Sequence, residues 1–140
     1  MSSAVSARGP RSAVQVVLLG GFVVGTLDIA DAITFWWFRA GLTPIRIFQS
    51  VAAGLLGREV AASGGLATAL LGAVLHFSIA LSVVTVCYFL GRRIPLIRQQ
   101  PVMAGAIYGI GVFLFMYGLV MPLSRVGTPQ WALGVPMVNN

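Results

Sequence analysis

The chain contains no lysine, one cysteine, one histidine and three acids in 140 residues. Each shortage removes a class of function. Soluble domains carry about 25% charged residues to keep their surfaces in water; here 9% are charged and 58% are hydrophobic. Cys87 stands alone in an apolar run, which excludes a disulfide framework and fits an apolar filler. One histidine and two nearby acids are too few ligands for a zinc-like site, so no metal and no cofactor is expected. No serine, cysteine or threonine stands at a nucleophile's spacing from His76 and an acid. There is no Walker-type loop, and Gly20-Gly21-x-x-x-Gly25 is not a dinucleotide fingerprint. An enzyme is therefore not expected. The nine arginines lie at the ends of apolar runs and in the connections between them. That distribution suits anchoring at lipid headgroups and lacks the clustered basic surface that nucleic acid requires.

What the chain has in quantity is uninterrupted apolar sequence. Val60–Gly91 and Gln99–Ser124 contain no Asp, Glu, Lys or Arg. About 20 residues at 1.5 Å each cross a hydrocarbon layer of roughly 30 Å. These runs predict three transmembrane helices at 13–38, 66–90 and 102–123, in an all-α, polytopic membrane bundle forming a single membrane domain over 1–140. The first run follows Arg8 and Arg11 as a signal peptide would, but it continues into Phe35-Trp36-Trp37-Phe38. Such an aromatic belt marks an interface, so the run reads as an uncleaved helix.

Between the first two spans, Arg39-Ala-Gly-Leu-Thr-Pro44 reads as a turn, and 44–57 as an amphipathic helix lying in the interface. Its apolar row would be Ile45, Phe48, Ala52, Leu55 and Leu56, leaving Arg46, Gln49 and Ser50 toward water or lipid phosphate. Prolines bound the basic segment Arg92–Pro101 and predict a tight loop. The tail at 124–140 has too little apolar sequence for a fourth span. Five arginines flank one side of the membrane and four the other, which predicts a cytoplasmic amino terminus.

Within this apolar background Asp28 and Asp31 stand inside the first span. A carboxylate at membrane depth costs about 2.5–3.5 kcal/mol on insertion scales. Counting from the span ends, Asp28 and His76 share a depth near the midplane. Gly21, Gly25, Asp28 and Ala32 follow at four, three and four residues, and Thr68, Gly72, His76 and Ala80 at four. Small residues let helices approach closely in lipid. Asp28 and His76 are therefore expected as an intramembrane polar pair on packed faces, with Asp31 within reach of Arg39 or Arg46. Gly105 and Gly109 form another small-xxx-small pattern, expected to pack the third span.

Three stretches carry a resemblance. Asp28-Ile-Ala-Asp31, Arg46-Ile-Phe-Gln49-Ser-Val-Ala-Ala-Gly54-Leu-Leu-Gly57 and Gly64-Gly65-Leu-Ala-Thr-Ala-Leu-Leu-Gly72-Ala-Val-Leu-His76-Phe together resemble a family of small uncharacterised bacterial inner-membrane proteins, similar to the YagU-like group. The resemblance implies a four-helix membrane protein with no enzymatic activity, and this chain departs from it in having no fourth span. Two functional readings follow. One is an integral inner-membrane protein that works through helix–helix association, as a homo-oligomer or an accessory subunit, with lipids and other membrane chains as partners. The other is a small transporter or proton-coupled channel with Asp28 and His76 as its relay.

Overall fold

A computed structural model describes residues 12–125 of the protein. The lead with Arg8 and Arg11, and the tail beyond Arg125 in which no further span is expected, lie outside the described residues. No strand occurs among the described residues. Helix α1 spans Ala13–Ala40, opened by a capping box in which the Ser12 Oγ accepts from the Gln15 amide and the Gln15 Oε1 accepts from the Ser12 amide, both at 3.2 Å. That reciprocal pair satisfies two amides that a helix start leaves without partners. Gly41 closes α1 in the left-handed conformation at φ 63°, where a side chain would be strained.

Pro44 opens helix α2, Pro44–Leu56. Gly57 then turns the chain at φ 90° and ψ 159° into a short helix α3, Arg58–Ser63. Only glycine adopts that conformation readily. The α3 turn has no counterpart in the apolar periodicity, because six residues are too few to show a period. Glu59 lies in its first turn, where the helix dipole favours a negative charge.

Helix α4 spans Gly65–Arg93 and continues through both arginines, which sit in its last turn. The loop expected at 92–101 is largely helical: α5 covers Pro95–Gln99 and α6 covers Pro101–Leu123. Each proline begins a helix, where its missing amide costs nothing. In α6 the residues Met116–Val120 widen into a π turn just before Pro122. The proline ring excludes the carbonyl four residues back, and the wider turn accommodates it.

Among the described residues three helices, α1, α4 and α6, are long and apolar enough to cross a membrane, with α2 as a shorter apolar helix. The chain is thus compatible with a multi-pass integral membrane protein. Its burial pattern agrees with lipid as the solvent. Most of the buried positions among the described residues are small: Gly21 and Gly25 in α1, Ala52 and Ala53 in α2, Ala61 in α3, and Thr68, Ala69, Gly72 and Ala80 in α4, with Ile29, Ile47 and Gln49 as the larger ones. No large side chain among the described residues is fully buried. Leucine, valine and phenylalanine point outward, because hydrocarbon accepts them as readily as a protein interior does.

Helix α4 is the axis of this arrangement, with α1 and α2 both packed on it. A Cβ built on Gly21 would lie 2.5 Å from Leu81 Cδ2, and one on Gly25 would lie 2.8 Å from the Phe77 ring. A Cβ on Gly72 would overlap the main-chain carbonyl of Phe48. The backbones of α2 and α4 are therefore nearly in contact there. Helix α6 stands apart. It meets α4 through the Tyr108 hydroxyl, which donates to the Val83 carbonyl at 2.6 Å, and the Arg125 amide just beyond it donates to Gly54 of α2 at 3.0 Å.

Candidate functional site

The polar groups held inside the helices form two adjoining clusters on α4. The first surrounds His76. Its Nε2 lies 2.8 Å from the Gly25 carbonyl of α1. A carbonyl only accepts, so Nε2 carries the proton and donates it. The ring stands edge-on to Phe77 of α4, with centroids 5.3 Å apart, and to Phe48 of α2, at 6.5 Å. His76 thereby touches all three helices that meet at this level. Gly25 makes the junction possible, since a side chain there would displace Phe77.

The second cluster lies nearer the start of α4. Gln49 of α2 is buried, and its Nε2 donates to the Gly65 carbonyl at 2.9 Å and to Thr68 Oγ1 at 3.4 Å. Thr68 Oγ1 is also within 2.7 Å of the Ala61 carbonyl, as a donor to α3. Arg46 Nη1 reaches Gln49 Oε1 and the Ala62 carbonyl, each at 3.5 Å. Three helix ends are thus tied by one amide and one hydroxyl. No buried side-chain nitrogen or oxygen among the described residues lacks a partner.

This geometry rotates α2 by part of a turn relative to the expectation: Ala52 is buried and Arg46 and Ser50 are exposed as expected, but Gln49 turns inward. Ile47, Gln49, Ala52 and Ala53 are its buried positions, while Ile45 and Leu55 are about half exposed. A face rich in small and polar side chains turns inward because lipid accommodates the isoleucine and leucine but cannot satisfy an amide.

Asp28 is corrected in the same way. The expected pair with His76 does not form: the histidine is committed to Gly25, and Asp28 is exposed. The buried row of α1 is Gly21, Gly25 and Ile29, spaced by four throughout, so Asp28 falls to one flank of it. The register set by Gly21 against Leu81 and Gly25 against Phe77 puts Asp28 level with Val74, which is itself exposed. Asp31 is exposed three residues on, on the same flank. Neither acid has a hydrogen bond or ion pair among the described residues, and the expected approach of Asp31 to Arg39 or Arg46 is absent. Asp28 is nonetheless the sixteenth residue of the 28 in α1, roughly 18 Å from the helix end at Ala40.

Gly21, Gly25 and Gly72 lie at helix contacts, whereas Gly105 and Gly109 do not. Both are exposed, and a Cβ on either would meet nothing within 4 Å. Spacing alone cannot separate the two cases, since it defines a smooth face but not whether a neighbour lies against it. The sequence marks Thr68, stacked with Gly72 and His76, but its bond to Gln49 depends on a partial rotation of α2 that periodicity does not reveal. No group of three or more potential metal ligands occurs among the described residues. Searches against family models, curated proteins and solved structures returned no match to this chain.

Proposed function

We propose that this chain is a non-enzymatic integral protein of the bacterial inner membrane, with a cytoplasmic amino terminus, that works by associating through its helices with other membrane chains. The partner is a further copy of itself or a larger complex in which it is an accessory subunit. The same proposal includes kinship with the small bacterial inner-membrane proteins, on the ordered motifs from Asp28 to Phe77. One observation carries the reading: Asp28 sits near the middle of a helix long enough to span, exposed and without a partner among the described residues. Lipid does not satisfy a carboxylate, and at such depth acids face protein or a water-filled cavity. The open Gly105–Gly109 face on α6 offers a second smooth surface for a neighbouring helix.

The commitment of His76 to a backbone carbonyl supports a role in holding helices together, and it leaves the relay reading without a contact between ring and carboxylate. Extraction of the full chain in a gentle detergent, followed by light scattering, tests the proposal. The expected result is a particle well above the 14.7 kDa of one chain. A well-folded single-chain particle at every concentration, together with no companion recovered from native membranes, contradicts it.

A further inference from the structure

Helices α4 and α6 diverge around an apolar cleft of about 760 Å³. Leu75, Ile79 and Val86 form one wall and Ile107, Val112 and Phe115 the other. The few polar atoms facing it are already engaged. Ser78 and Ser82 donate to carbonyls one turn back, at 2.7 and 2.8 Å, and the Tyr108 hydroxyl donates to Val83. Nothing in the cleft therefore calls for a polar ligand.

From Leu75 to Val86 the cleft runs about 16 Å along α4. Extended hydrocarbon conforms to such an apolar space. The charge at one end selects among hydrocarbons. Ile79, Val86 and Arg93 follow at intervals of seven, two turns of helix, and so lie along one stripe. Arg93 is exposed in the last turn of α4, about 10 Å beyond Val86 and without a hydrogen bond or ion pair among the described residues. Arg92 is turned elsewhere, its guanidinium 6.0 Å from the Tyr88 ring centroid.

We propose that this cleft holds an acyl chain of an anionic phospholipid whose phosphate rests on Arg93. Basic side chains at the membrane surface attract anionic headgroups, and clefts between spanning helices beside them retain such lipids. The proposal requires that the chain span a membrane, but it is independent of association through Asp28. The two ideas fail separately, since one is read from lipid selectivity and the other from particle mass.

The full chain reconstituted in vesicles of mixed phosphatidylglycerol and phosphatidylcholine provides the test. A spin label on the acyl chain of either lipid reports by electron paramagnetic resonance how much of it is motionally restricted. The wild type is expected to restrict phosphatidylglycerol at least threefold over phosphatidylcholine. Arg93→Gln should bring that ratio close to one, and Arg93→Lys should restore most of it. Gly111→Phe, which fills the cleft from a helical position with nothing within 4 Å of its Cβ, should lower the restricted fraction itself while circular dichroism stays unchanged. Equal restriction of the two lipids by the wild type overturns the proposal. So does a restricted fraction of phosphatidylglycerol that Gly111→Phe leaves unchanged, which would reduce the effect to surface charge alone.

Discussion

The imidazole of His76 donates from Nε2 to the main-chain carbonyl of Gly25, 2.8 Å away on the antiparallel neighbour α1. A glycine at 25 keeps the approach open, because a Cβ there would lie 2.8 Å from the Phe77 ring that packs beside the imidazole. Bonds of this kind between membrane helices contribute about 0.6 kcal/mol on average and up to roughly 1.7. His76→Leu should therefore lower the stability of the chain by an amount in that range. His76→Gln, which keeps a donor, should lose less. Unfolding titrations in mixed micelles measure both.

Two glycines in small-xxx-small settings should respond oppositely to the same change. Gly72→Ala drives a methyl into the Phe48 carbonyl, a backbone atom that cannot step aside. Overpacking of this sort typically costs about 1–3 kcal/mol. Gly105→Ala meets nothing within 4 Å and should be neutral or slightly stabilising, since alanine is favoured over glycine within a helix by about 0.5–1 kcal/mol. Thermal melts of the two variants side by side give the comparison. If both lose stability equally, the close approach of α2 to α4 is wrong.

Gln49 and Arg46 are adjacent in the polar knot but differ in how tightly it holds them. Gln49 is buried and bridges α2 to the start of α4 at 2.9 Å, so Gln49→Leu removes that bridge and leaves the Gly65 carbonyl to the Thr68 hydroxyl of its own helix at 3.1 Å. The expected loss is that of a bridging hydrogen bond, about 0.5–1.5 kcal/mol. Arg46 is exposed and its contacts are 3.5 Å long, so Arg46→Gln should change stability by less than about 1 kcal/mol. Protection of the Gly65–Thr68 segment in hydrogen exchange is the most local readout, and it should fall for Gln49→Leu only.

Asp28→Leu should do two things at once. In a single chain it removes an exposed carboxylate from mid-helix, which favours insertion by about 2.5–3.5 kcal/mol. In an assembly it removes the group that the neighbour satisfies, so self-association or partner recovery should fall. Insertion efficiency and particle mass measured on the same variant separate the two effects. A rise in the first with no change in the second would mean that Asp28 contacts no other chain.

The spans were legible in the sequence because hydrocarbon imposes a length and a composition, and Ala13–Ala40, Gly65–Arg93 and Pro101–Leu123 differ from the expected bounds by a turn or less. Rotation of each helix about its axis was not legible. In water, burial of Ile45 and Leu55 would have turned α2 one way; in lipid that drive vanishes, and Gln49 turns it the other. A similar shift separates Asp28 from the Gly21–Gly25–Ile29 row, since a spacing of four-three-four and one of four-four fit the same residues until a neighbour is present. The standing of α6 was hidden for a further reason. Gly105 and Gly109 look the same whether or not a helix lies against them.

The most direct measurement asks what covers the Asp28 flank while leaving that acid in place. With Cys87 replaced by serine, a spin label at Val24→Cys, one turn from Asp28, is compared in nanodiscs with one at Leu19→Cys, about 140° around the helix. Both native side chains are substantially exposed, at 43% and 53%. Collisions with oxygen dissolved in the lipid should be frequent at 19 and suppressed several-fold at 24, because a neighbouring chain lies over the acid. Equal and high collision rates at the two positions, in a disc holding one chain, would show Asp28 facing lipid unaided and contradict the association reading.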